Sequence, residues 1–152
     1  MNPRESGPRE SGPLLSPGFW LHHAALTWRA ELDVRLRPLG LTHTQFMLLA
    51  SVSWLDHVGG PPTQQEVAAQ AGADRMMTSK VVRTLEERGL LVRHTHESDA
   101  RALRLTLTPT GRTLVDRATQ VARDVDALFF GSDPASQRAT FRRIAEHRGS
   151  RG

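Results

Sequence analysis

Cysteine and tyrosine are absent from this 152-residue chain, and Lys80 is its only lysine. Without thiols there is no disulfide framework, no cysteine-ligated zinc site and no thiol redox sensor. No apolar run approaches the roughly 18 residues that a membrane helix needs, and the N-terminus lacks a signal-peptide pattern. The chain therefore reads as cytoplasmic, with no membrane partner, and as one domain with tails. Several chemical signatures are missing too: there is no G-x-S-x-G elbow, no P-loop, no H-E-x-x-H and no G-x-G-x-x-G. Nothing is left to build catalysis on, so no enzyme activity and no cofactor are expected.

Charge is scarcer than the sequence pI of 11.1 suggests. With one lysine and no tyrosine or cysteine, little titrates between histidine and arginine, and the net charge is only +4. Residues 138–152 carry five arginines (Arg138, Arg142, Arg143, Arg148, Arg151) against Glu146, which equals that whole excess. Residues 63–111 are nearly balanced. Arg75, Lys80, Arg83, Arg88, Arg93, Arg101 and Arg104 face Glu66, Asp74, Glu86, Glu87, Glu97 and Asp99. A nucleic-acid reading must rest on where these charges sit rather than on their sum.

What is present is a succession of well-punctuated helical patterns. Residues 3–12 repeat PRESG, too polar and too rich in Pro, Gly and Ser to bury a core, so 1–16 are expected to be a disordered tail, as are 149–152. Leu21, Ala25, Trp28, Leu32 and Leu39 recur at helical spacing over 19–39, which Pro38 and Gly40 end. Thr42 with Gln45, and Thr63 with Glu66, are capping-box pairs. Gly72 stops the short helix after Thr63, and Asp74 caps the next. There Thr78, Val81, Val82 and Leu85 form the predicted buried stripe. Leu90–Val92 and Leu103–Leu107 read as two strands of a hairpin. Thr108-Pro109 opens a long helix with an apolar face from Leu114 to Phe129, and Asp133-Pro134 opens a last one with Phe141, Ile144 and Ala145 inward. The order is helix, turn, helix and β-wing: mainly α with a small β-wing (α+β).

These residues are the ones by which the chain resembles the MarR (multiple antibiotic resistance regulator) family of winged-helix regulators. Asp99-Ala-Arg101, then Leu107-Thr108 and Gly111, is similar to that family's wing signature of D-x-R followed by L-T-x-x-G. Leu41-Thr42 with Gln45, Thr63-Gln64 with Glu66, and Leu85-Glu86 with Gly89-Leu90 also match, in order. The resemblance implies a homodimer with dimerisation helices over 17–40 and 109–148. It implies a winged helix-turn-helix lobe over 41–108 that binds double-stranded DNA. It further implies a repressor of a pseudo-palindromic operator, relieved by a small aromatic ligand held between lobe and dimer helices.

Candidate site residues follow. With its stripe buried, the helix after Asp74 would turn Arg75, Met76, Met77, Ser79, Lys80 and Arg83 outward. Arg75 and Lys80 suit guanine O6 and N7, the methionines suit thymine methyls, and Ser79 suits a base or phosphate. Family members usually carry small polar residues where Met76 and Met77 stand. Thr63, Gln64 and Gln65 open a helix whose free N–H groups suit a phosphate. By the resemblance, Arg101 enters the minor groove with Asp99 holding it. His94 and His96 share a strand face but lack a third ligand, so no metal site is expected. For the ligand, His23, Trp28, Phe46 and Trp54 are the candidates, with an aromatic carboxylate as the best match. A winged-helix protein-interaction module without DNA binding is the alternative; Arg75, Lys80 and Arg101 speak against it, as the missing motifs speak against a small enzyme.

Overall fold

The computed structural model describes residues 11–96 and 99–147, excepting the side chains of residue 96 and of 99–102. Among them are α1 (Pro17–Leu36), α2 (His43–Gly59), α3 (Gln64–Ala71), α4 (Arg75–Glu87), β1 (Leu91–His96), β2 (Asp99–Leu107), α5 (Pro109–Phe130) and α6 (Pro134–Ala145). The two strands pair antiparallel, Leu91 opposite Leu107, with an irregularity at Thr95/His96. The expected mainly-α fold with a β-wing is the observed one.

Every one of these helices starts on a Ser, Thr or Asp whose side chain accepts the N–H three residues ahead. The pairs are Ser16–Phe19, Thr42–Gln45, Thr63–Glu66, Asp74–Met77, Thr108–Gly111 and Asp133–Ser136. Each such cap stabilises its helix by about 1 kcal/mol. At Thr42 the box is complete, since Gln45 Oε1 accepts from the Thr42 N–H at 3.1 Å. At Thr63 only the forward half forms; the loop before it instead lies along β2, where Thr63 bridges Arg104 and the Leu105 N–H donates to Pro62 O at 2.9 Å. The loop before α3 thus adds a third rung to the wing sheet.

Several expectations are corrected. The first helix ends at Leu36, not Leu39; Arg37–Leu39 tighten into a 3-10 turn around Pro38, and Gly40 closes it in the left-handed region at φ 72°. Residues 1–10 of the expected tail lie outside the described residues. Gly12–Leu15, however, form a 3-10 turn, and the Trp20 indole N–H donates to Leu14 O at 2.9 Å. The strands are longer than the apolar runs suggested: β1 continues through Arg93–His96, and β2 begins at Asp99, which pairs with His96 beyond the irregularity. Leu21, Leu128, Phe129, Phe141 and Ile144, expected inside, are exposed.

The core joins Leu32 and Leu36 of α1, Leu48, Leu49 and Val52 of α2, Val82 and Leu85 of α4, Leu91 and Leu105 of the wing, and Val115, Ala118 and Val125 of α5. Its tightest point lies where the wing hands over to α5. Leu90 O accepts from the Thr108 N–H at 3.1 Å, and the Thr108 hydroxyl donates to Gly89 O at 2.6 Å. A Cβ on Gly111 would lie 1.9 Å from that same Leu90 oxygen. A second fastening ties α4 to β1: Glu86 accepts from the Arg93 backbone N–H at 3.0 Å and from its guanidinium at 3.1 and 2.9 Å. The Arg93 side chain first, and its backbone second, hold the Glu86 carboxyl below its ordinary 4.5, against the opposing pull of burial.

Two outcomes test these contacts. Alanine favours helix over glycine by about 1 kcal/mol, but the Leu90 clash outweighs that. Gly111→Ala should lower stability by about 1–3 kcal/mol, seen as a lower urea midpoint at unchanged slope; an unchanged midpoint would mean that the contact is loose. A carboxylate depressed in the folded state adds stability above its unfolded value and loses it as pH falls through the folded one. Glu86→Gln should therefore melt below the native protein near neutral pH, by up to about 1 kcal/mol. The difference should shrink below pH 4.5. Parallel melting curves across that range would show the ion pair to be idle.

Candidate nucleic-acid interface

Three residues separate α3 from α4. Gly72 turns the chain at φ 66°, and Asp74 restarts it as a cap. α4 then buries Thr78, Val82 and Leu85. The Thr78 hydroxyl donates to Asp74 O at 2.7 Å, so its burial leaves no unpaired group. Val81 is only half-buried, at the edge of the predicted stripe. The other side presents Arg75, Met77, Lys80 and Arg83, with Met76 at 85% exposure and Ser79 half-buried. Among the described residues no carboxylate pairs with Arg75, Lys80 or Arg83. Arg93, by contrast, is held by Glu86. A helix face of unengaged donors, projecting from a lobe fixed on its opposite side, is the arrangement that groove insertion requires.

The first turn of α3 is more constrained than its sequence suggested. Gln65 is exposed, but Gln64 is half-buried with its Oε1 shielded and unpartnered, and the Thr63 hydroxyl is occupied by its cap. Arg104, which drew no attention as a site residue, donates from Nη1 to Pro61 O at 2.7 Å and so straps the wing to this turn. Asp99 and Arg101 belong to β2, Asp99 opposite His96 at the end of the wing remote from α5. Their side chains lie outside the described residues. His94 Nε2 lies 2.9 Å from the Thr106 hydroxyl across the hairpin, and no cluster of three metal-ligating side chains occurs among the described residues.

The four ligand candidates do not converge. Phe46 is 6% exposed and belongs to the core, whereas Trp54 is 56% exposed on α2 beside His57. Both had the right residue type for a pocket, but burial and helix face send them apart. Trp28 and exposed His23 line an open groove of about 1160 Å³ between α1 and the α5–α6 turn, with Trp20, Phe129, Phe141 and Ile144. Trp28 also reaches a second place. Its indole N–H donates to Asp126 of α5 at 3.0 Å, and its ring meets His43 edge-on at 5.4 Å. The His43 N–H donates to Asp33 at 2.6 Å, Arg29 donates to the Thr44 hydroxyl at 3.3 Å, and His43 Nε2 is buried without a partner. Burial foremost, and Arg29 next, lower the His43 pKa from its ordinary 6.5, with Asp33 opposing. This polar knot joins α1, α2 and α5. His43, Arg29 and Asp126 are not among the candidates drawn from the sequence; contact geometry singles them out.

Comparison with known proteins agrees with this architecture. Residues 41–103 match the model of the MarR family. The uncharacterized HTH-type transcriptional regulator YdcH of Bacillus subtilis is 37% identical over 122 residues, covering 80% of this chain and 83% of that one. An HTH-type transcriptional repressor of Mycobacterium tuberculosis is 33% identical, over 88% of this chain and 93% of its own. That MarR-family protein's structure with p-aminosalicylic acid superimposes with a TM-score of 0.63, over 86% and 96% of the two chains, at 32% identity. The repressor CouR bound to a 23-mer DNA duplex gives a TM-score of 0.72 at 28% identity, over 86% and 90%. CouR from Rhodococcus jostii RHA1 bound to p-coumaroyl-CoA gives 0.78 at 26%, over 92% and 99%. The likeness runs through the capped helices, the wing and both flanking helices alike, so the chain belongs to the MarR family of helix-turn-helix transcriptional regulators.

Proposed function

We propose that this protein is a cytoplasmic, homodimeric repressor that binds a pseudo-palindromic operator, acts without catalysis, and is released by a small aromatic carboxylate. One observation carries the DNA reading: among the described residues the exposed donors of α4 have no carboxylate partner, while Arg93 and Arg104 of the wing strands are fastened into the fold. Arg75, Lys80 and Ser79 read the major groove with Met76 and Met77 against thymine methyls. Arg83, Gln65 and the α3 N-terminus meet phosphates, with Thr63 and Gln64 setting that turn, and Arg101, steadied by Asp99, enters the minor groove. CouR, seen on duplex DNA, supports this reading.

Dimerisation is supported by the apolar surface that a single chain leaves open. Trp20, Leu21 and Leu26 of α1, Leu128 and Phe129 of α5, and Phe141 and Ile144 of α6 are all exposed. Scattered apolar residues need no explanation, but Trp20, Leu21, Phe129, Phe141 and Ile144 line one groove across three helices, with Leu26 and Leu128 exposed on the same helices, and such a surface marks an interface. The ligand reading moves from the four residues chosen by type to the knot of Trp28, His43 and Arg29. There an aromatic ring has a stacking partner, and a carboxylate has a cation beside an imidazole with a free nitrogen. The p-aminosalicylic acid complex of the mycobacterial repressor supports that class of ligand.

Duplexes recovered by incubating the protein with fragmented genomic DNA supply the probe. In titrations at fixed salt, Lys80→Ala and Arg75→Ala should relax base preference, each by about 1–3 kcal/mol at one position. Arg101→Ala should weaken all A·T-rich sites, and p-aminosalicylate should raise the Kd unless His43 is Phe. Affinities unmoved by any of these changes would refute the assignment. Phe141→Glu combined with Leu128→Glu alters exposed residues only and should sediment as a monomer with operator affinity reduced about tenfold or more. A dimer of unchanged stability would place the interface elsewhere.

A further inference from the structure

The chain's sulfur chemistry rests entirely on four methionines, because cysteine is absent. Met1 lies outside the described residues. Met47 is half-buried on α2 against the core. Met76 and Met77 are 85% and 40% exposed at the start of α4, in the middle of the unengaged donor face. An apolar side chain as open as Met76 contributes nothing to the core, and neither thioether is shielded from a dissolved oxidant.

We propose that Met76 and Met77 form an oxidation site through which a hypohalous acid or a peroxide weakens DNA binding, an inference that rests on the interface reading above. The sulfur lone pair attacks the chlorine of hypochlorous acid, and water displaces chloride from the chlorosulfonium. In total, thioether and HOCl give sulfoxide, a proton and chloride: sulfur loses two electrons and chlorine gains two. With hydrogen peroxide the by-product is water. The change matters at this location for a physical reason. A flexible apolar end suited to a thymine methyl becomes a polar group with a strong acceptor oxygen. That oxygen would face guanine O6 and N7, thymine O4 and nearby phosphates, which are acceptors or anions as well. Both side chains are outside the core, so the sulfoxides leave the fold intact and the loss falls on binding. Sulfoxide reduction by a methionine sulfoxide reductase restores the thioether.

Trypsin releases residues 76–80 as one peptide carrying both methionines, apart from Met47. After limiting hypochlorite, mass spectrometry should find added oxygen on 76–80 before the Met47 peptide. Titration of the recovered genomic duplex should show affinity reduced about tenfold or more, with circular dichroism unchanged and reductase treatment restoring binding. The Met76→Leu/Met77→Leu variant is compared with itself: whatever its untreated affinity for the duplex, that affinity should be the same before and after the oxidant. Met47 oxidised first, native affinity after oxidation of 76–80, or equal loss in the leucine variant would each overturn the proposal. Untreated protein that binds no duplex would instead overturn the interface reading beneath it, and the peptide oxidation pattern, independent of DNA, separates the two failures.

Discussion

The Leu90 carbonyl is where this molecule is joined. It accepts the Thr108 N–H and sits where a Cβ of residue 111 would have to be. The strand entering the wing, the strand leaving it and the first turn of α5 therefore meet at van der Waals distance. No side chain is interposed to absorb error. A displacement of α5 moves the wing base directly, and Glu86–Arg93 carries that displacement on to α4. The L-T-x-x-G string is thus a statement about packing: a hydroxyl that caps and clamps at once, then a residue with no side chain.

Below that junction, the lobe's basic residues fall into two populations of similar composition. Arg93 and Arg104 close the lobe on itself, one through a carboxylate and one through a carbonyl oxygen. Arg75, Lys80 and Arg83 stay open on α4. A nearly neutral lobe can in this way show a cationic face: Asp74 caps α4 through the Met77 N–H, and Glu86 is spent on Arg93.

Much of this was legible beforehand. Every helix start after the first follows from a Thr or Asp cap, while the first begins at Pro17 behind Ser16, ahead of the Phe19 that spacing gives; the glycine at 72 marks a helix end that the left-handed backbone confirms. Those signals are local, so sequence spacing carries them. The start of β2 at Asp99, opposite His96, goes unread because polar residues fill that end of the hairpin and no apolar alternation announces it. The Thr63–Arg104 bridge links positions 41 residues apart in sequence, which no local pattern encodes. Phe46 and Trp54 were grouped by chemical type, yet eight positions along one helix put them in core and solvent. The apolar residues of α6 are assigned inward from helical spacing, which groups them on one face but does not say what covers it; on this chain Phe141 and Ile144 are exposed.

The division between fastened and open arginines also sets how the protein should feel its ionic surroundings. Binding to a polyanion gains from releasing condensed counterions, with log K falling by about 0.9 per neutralised phosphate for each decade of salt. The Arg93 guanidinium, paired with the Glu86 carboxylate, adds no net charge to that release. Under the interface proposed above, the salt slope of each protomer is set by the donors of α4 and the wing tip rather than by the pI, and Arg93 fastens β1 to α4 without adding to that slope.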